Sequence, residues 1–244
     1  MKKCSWNAIW INARLLCMFG FLIFLYSFTS HRNENREITK TAVEFVGDDN
    51  QYLSHETVNK LLIENNKKLT TIRKVNLDLN TLEKRTNSNP MVEKSEVFVT
   101  IDGVLKARIV QKTPIVRVVG DQGSFYIDYQ GSKMPLSNLR SARVPLVSGN
   151  TEGKNKKELI ELFRFIYDDD FLQKNIIGIA LFDNGAIKMT DRNYNYEIDF
   201  GSATNIEKKF NNYKAFFQKT MQDNSIIKYK KVTLRFTQQV VCTK

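Results

Sequence analysis

The hydrophobic positions of this chain form one long run near its start and then short alternating or helical patterns. Residues 15–28 read LLCMFGFLIFLYSF, without a charge. At a rise of about 1.5 Å per residue that is about 21 Å of helix, short of the roughly 20 residues that cross a bilayer core. Extension back through residues 6–13, WNAIWINA, supplies the length, and Arg14 then snorkels toward the headgroups. Trp6, Trp10 and Tyr26 suit the two interfaces. The pattern predicts a tail over residues 1–8, a transmembrane helix over 9–29 and a linker over 30–40. A cleaved signal peptide is the alternative. The anchor is favoured because no small-x-small cleavage site follows the run, and Cys17 lies too early in it for a lipoprotein cysteine. Lys2, Lys3 and Arg14 on one side, against Arg32 and Arg36 on the other, weakly favour a cytoplasmic N-terminus.

Residues 42–46, AVEFV, alternate as a strand does, and Gly47-Asp48-Asp49-Asn50 turns the chain. Ser54 is a good N-cap, and Leu53 with Val58 has the spacing of a hydrophobic staple. A second helix is predicted from about Asn80, with Glu83 at capping-box spacing, ending before Pro90. Val97, Val99 and Ile101 then alternate with polar or outward positions, as do Leu105, Ala107 and Ile109. Asp102-Gly103 between them predicts a two-residue hairpin turn with both central residues at positive φ. The order is strand, helix, helix, strand, strand, one sheet face covered by two helices.

Beyond Gly120 the pattern is turn-rich and β-rich. Residues 121–131 read as two short strands with glycine turns, a Val-Pro strand ends at Gly149, and a helix runs over 158–172 with Leu159, Leu162, Phe163 and Ile166 on one face. A hairpin turns at Asp183-Asn184-Gly185, and a strand over 194–200 follows. Ile206, Phe210, Tyr213 and Phe217 have helical spacing and read as core. Residues 229–236 alternate again, Val232, Leu234 and Phe236 facing inward and Lys231, Thr233 and Arg235 outward, before a polar tail over 237–244.

Charge and chemistry narrow the function classes. Thirty-seven basic and 26 acidic residues give +11, but the lysines are spread out, which reads as solubility. Cys4, Cys17 and Cys242 leave one thiol beyond the anchor, so no intrachain disulfide is expected there, and none has metal-ligand spacing. His31 and His55 have no plausible triad. Asp168-Asp169-Asp170 reads as a solvated turn, and Asp199-Phe200-Gly201 matches the kinase metal motif without any of its companions. No catalytic residue, cofactor or metal is expected, and an anchored outer domain argues against nucleic acid despite the basic and aromatic residues near 228–236.

The βααββ order just after an anchor resembles a POTRA domain. The run KARIVQKTPIVRV over 106–118 resembles the end of that domain in the bacterial division family FtsQ/DivIB. So does the later order of a Tyr-Ile-Asp strand, a glycine, Pro135-Leu136, and a Val144-Pro145 strand ending at Gly149. The resemblance implies an α+β fold: one N-terminal transmembrane helix, a POTRA-type βααββ domain over residues 41–119, and a β-rich C-terminal domain over 120–244 with an antiparallel sheet and flanking helices. It also implies a non-enzymatic scaffold in the cell inner membrane at the division septum, mainly periplasmic. Its partners would be FtsB-like and FtsL-like proteins, with other membrane divisome proteins as further candidates, held by strand addition. Tyr229, Lys231, Thr233, Arg235 and Phe236 are the expected partner-binding residues. Two other readings stay open: a POTRA-type chaperone or transport module of a secretion or outer-membrane assembly system, and an anchored enzyme.

Overall fold

A computed structural model describes residues 6–34, 37–47, 52–63, 77–120, 123–153 and 155–244. The chain divides into two compact units, Met1–Asp48 with Leu53–Val110, and Asp49–Tyr52 with Gln111–Lys244.

The first unit begins with helix α1, Trp6–Glu34, of which Trp10–Asn33 is long and apolar enough to cross a membrane. Its side chains from Trp10 to Phe28 stand exposed, as a lipid-facing helix requires. The expected linker is shorter than the sequence suggested. No Gly or Pro interrupts residues 21–34, so the helix continues to Glu34, and Ile38 is already buried in the core. Strand β1, Lys40–Val46, then pairs in parallel with β3, Val104–Gln111, and β3 lies between β1 and β2, Val92–Val99.

Helices α2, His55–Leu62, and α3, Leu79–Asn87, pack their apolar stripes on this sheet. Ser54 caps α2 as expected, its hydroxyl accepting from the Thr57 N–H at 3.1 Å, and both residues of the staple, Leu53 and Val58, are buried. The α3 cap differs from the expected one. Asp78, not Asn80, accepts from the Thr81 N–H at 3.1 Å, and Glu83 instead accepts from the Val97 N–H at 3.3 Å. The hairpin turn also differs. The Gly103 N–H donates to the Thr100 carbonyl at 3.1 Å and the Thr100 N–H to the Val104 carbonyl at 2.9 Å, with only Gly103 at positive φ, +79°. That is a three-residue loop closed by a glycine bulge, which leaves Ile101 at the tip, 81% exposed.

The second unit is a nine-stranded sheet. Its strands are β4 (Pro114–Gly120), β5 (Gly123–Asp128), β6 (Lys133–Met134), β7 (Leu146–Ser148), β8 (Ile176–Leu181), β9 (Ile187–Asp191), β10 (Glu197–Gly201), β11 (Lys231–Thr233) and β12 (Val241–Thr243). Their order across the sheet is β12-β11-β10-β9-β8-β7-β4-β5-β6. Residues 114–119, expected to close the first domain, belong here. Ile115, Val116 and Val118 are buried in the larger core, and β4 pairs with β5 and β7.

The sheet is mixed rather than antiparallel: β4–β7, β7–β8 and β10–β11 are parallel. Helices α4 (Lys156–Asp168) and α5 (Asp170–Asn175) separate β7 from β8, and α6 (Ile206–Gln222) separates β10 from β11. Such helical crossovers return the chain in its original direction. The single helix expected over 158–172 is broken at Asp169, whose backbone is extended and whose carboxylate caps α5 by accepting from the Phe171 and Leu172 N–H groups. One row of inward side chains runs Val118, Val147, Ile179, Met189, Ile198, Val232, and Leu162, Phe163, Phe210 and Tyr213 of the helices bury it.

Candidate partner-binding site

The C-terminal end of this sheet holds the residues expected to meet a partner. The 3-10 turn Ile226–Lys228 delivers Tyr229, whose ring stands edge-on to Phe216 of α6 with centroids 5.5 Å apart. Lys231 and Thr233 lie in β11, in register with Glu197 and Asp199 of β10. Past the strand, the Leu234 N–H donates to the Asp199 carbonyl at 2.8 Å and Leu234 is buried. Arg235 and Phe236 follow.

Asp199 gathers two of these residues. Its carboxylate is nearly enclosed, yet it meets Lys231 Nζ at 3.1 Å and Arg235 Nε at 3.0 Å. Burial pushes the Asp199 carboxyl up, but hydrogen bonds and charge from Arg235 and Lys231 outweigh it and hold the group below the usual carboxylate range. The Asp-Phe-Gly run is therefore a structural anchor: Gly201, at φ +74°, runs so close that an added Cβ would lie 2.9 Å from Arg235 Cγ. Asp169 of the triple-aspartate run likewise has a structural role, capping α5 and pairing with Lys214. Among the described residues, no three His, Cys, Asp or Glu side chains converge as a metal site.

The structure corrects the expected route of strand addition. The predicted strand 229–236 is reduced to Lys231–Thr233, and both of its edges are occupied, by β10 on one side and β12 on the other. The supposed polar tail supplies that second neighbour. Val241, Cys242 and Thr243 pair with Thr233, Val232 and Lys231, and Lys230 N–H donates to the Thr243 carbonyl at 2.8 Å. Val240 and Cys242 pack partly against the core, and burial pushes the Cys242 thiol up. The signal was the β-branched pair Val240-Val241 followed by a cysteine, easily passed over between Gln239 and Thr243. Phe236, expected to face inward, is 51% exposed because the strand ends before it. Of the five expected residues, Lys231 and Arg235 converge on Asp199, Tyr229 leans on α6, Thr233 is interior to the sheet, and Phe236 is displayed. Among the described residues, the edge of the sheet at this end is β12.

The profile of the family described as "FtsQ/DivIB, C-terminal related" matches residues 113–243, more than half of the chain. The chain belongs to this FtsQ/DivIB-related family. The match starts one residue before β4 and stops with the last residue of β12, so the FtsQ/DivIB portion coincides with the nine-stranded sheet and its helices. No curated protein matches the chain. FtsQ/DivIB is a cell-division family, and the apolar helix α1 fits the membrane anchor of such a protein.

Proposed function

We propose that this FtsQ/DivIB-family protein is a divisome scaffold that holds FtsB-like and FtsL-like partners during septum formation by adding a partner strand to β12. The observation that carries this reading is that β12 has β11 on one side and no strand on the other among the described residues. An unpaired edge offers backbone N–H and C=O groups to an incoming strand, and neighbouring side chains choose which strand. Phe236, an exposed ring, and Arg235, a half-exposed cation held on Asp199 of β10, follow β11 in the chain and are the nearest expected residues left for side-chain contact. The opposite edge, β6, is two residues long and less suited to a ladder. On this reading α1 holds the protein in the cell inner membrane with its N-terminus in the cytoplasm, and the protein acts by binding rather than catalysis.

Cross-linking tests the edge directly. In the full chain with Cys4, Cys17 and Cys242 replaced by Ser, Val241→Cys and Thr243→Cys are expected to form disulfides with a cysteine scanned along the partner's strand. Opposed residues in adjacent strands have Cβ atoms about 5 Å apart, whereas a residue one strand further in stands about 9–10 Å away. Thr233→Cys should therefore stay unlinked. The reverse pattern, Thr233→Cys linking while Val241→Cys does not, would mean that the partner displaces β12 and would sink the proposed edge.

A further inference from the structure

The tip of the first unit's hairpin is tied to the end of the membrane helix. Thr39, five residues after Glu34, donates its N–H to the Gly103 carbonyl at 2.9 Å, and its hydroxyl approaches the same oxygen at 3.3 Å. Five residues reach at most about 18 Å when fully extended, so the β2–β3 turn stays close to the helix end. The same neighbourhood contains a shallow pocket lined by Tyr26, Ser30 and Arg32 of α1 together with Val99 and Ile101 of the hairpin. The apolar run of α1 ends at Phe28, before His31 and Arg32, and Tyr26 suits the interfacial layer, where aromatic rings with a polar tip collect. The turn therefore lies at the depth where hydrocarbon gives way to headgroups.

At that depth the turn displays an isoleucine. A single exposed apolar side chain needs no explanation by itself. Ile101 differs because the fold fixes it beside the boundary of an apolar phase, at the end of a hairpin that the glycine bulge holds outward. We propose that the Thr100–Gly103 turn is a second membrane contact, in which Ile101 enters the headgroup–acyl boundary while the Asp102 carboxylate stays among the headgroups. The occupant is the lipid bilayer, and the inference rests on α1 being a membrane span. With two contacts, the first unit is held against the bilayer instead of swinging on a single tether.

The full chain reconstituted in vesicles of phosphatidylethanolamine and phosphatidylglycerol tests this. Trp6 and Trp10 are the chain's two tryptophans, so Trp6→Phe, Trp10→Phe and Ile101→Trp together place one reporter at the tip. Lipids brominated near the headgroup should quench it, with a blue shift in emission. A companion carrying only Trp6→Phe reports α1 through Trp10. Quenching of the companion without quenching of the tip overturns the inference and leaves the span standing; quenching of neither overturns both. Because tryptophan itself favours interfaces, the unsubstituted chain is followed by hydrogen exchange. The peptide covering residues 99–104 should exchange more slowly in vesicles than the same peptide of Ile101→Asp, and equal rates overturn the inference.

Discussion

Asp199 shows how one residue sets the limits of the C-terminal edge. It is a nearly buried carboxylate kept ionised by two side chains from the last part of the chain, Lys231 and Arg235. Arg235 is thus both a half-exposed cation and one of the two partners of a buried carboxylate, so charge reversal there would disturb the fold as well as any partner. Arg235→Ala leaves the buried carboxylate with one cation, and the expected cost is about 1–2 kcal/mol, read as a lower urea midpoint. The pH dependence has a definite sign. The folded carboxyl lies below its unfolded value of about 3.9, so its contribution is complete above that pH and fades as pH falls through the lower folded value. Asp199→Asn should flatten the acid limb of the stability profile, and an unchanged limb would exclude Asp199 as its source. Phe236 carries no such double duty, which makes Phe236→Ala the cleaner probe of partner contact.

At the scale of elements, two glycines separate backbone from side-chain constraint. Gly149 follows β7 at φ +100°, and an added Cβ would lie 2.2 Å from the Leu181 carbonyl oxygen. Gly201 is also left-handed, but its nearest neighbour is the flexible stem of Arg235. An alanine pays roughly 1–2 kcal/mol for the left-handed conformation alone. Gly201→Ala should stay near that range because Arg235 can move, whereas Gly149→Ala meets fixed backbone and should cost at least about 3 kcal/mol. Thermal or chemical unfolding of the two variants checks the ranking, and equal losses would refute it. The elements legible in the sequence were those with strong local signals: α2 from Ser54 and its staple, both hairpins from Asp-Gly and Asn-Gly, and α6 from its aromatic spacing. What escaped was decided at longer range. Residues 114–119 look like the continuation of β3 until their burial assigns them to the larger core. β12 is three residues, too short for a periodic signal, and becomes a strand because β11 offers it an edge. The candidate site was legible in its residues but not in its topology, since the order of strands across a sheet leaves no local mark.

For the molecule as a whole, the family match and the second unit have nearly the same extent, and the first unit adds α1 and the βααββ part. Within the second unit the sheet has an unequal build. Among the described residues, every strand-to-strand link between the β4–β6 side and the β8–β12 side passes through β7, three residues long and parallel to both neighbours. Helix α4 gives a second tie, where Arg164 Nε donates to the Tyr129 carbonyl at 2.6 Å. Cutting both with Val147→Ala and Arg164→Ala should let the amides of β5 exchange while those of β9 remain protected; uniform loss of protection would show one indivisible cooperative unit.

That narrow middle strand acts like the spine of a book. Between the pages the helices form a second binding, since Ile115, Val116, Val118 and Ile127 share one buried core with Leu159, Leu162 and Phe163 of α4. A partner strand on β12, as proposed, would be felt at β5 and β6 mainly through that layer of helices rather than along the sheet.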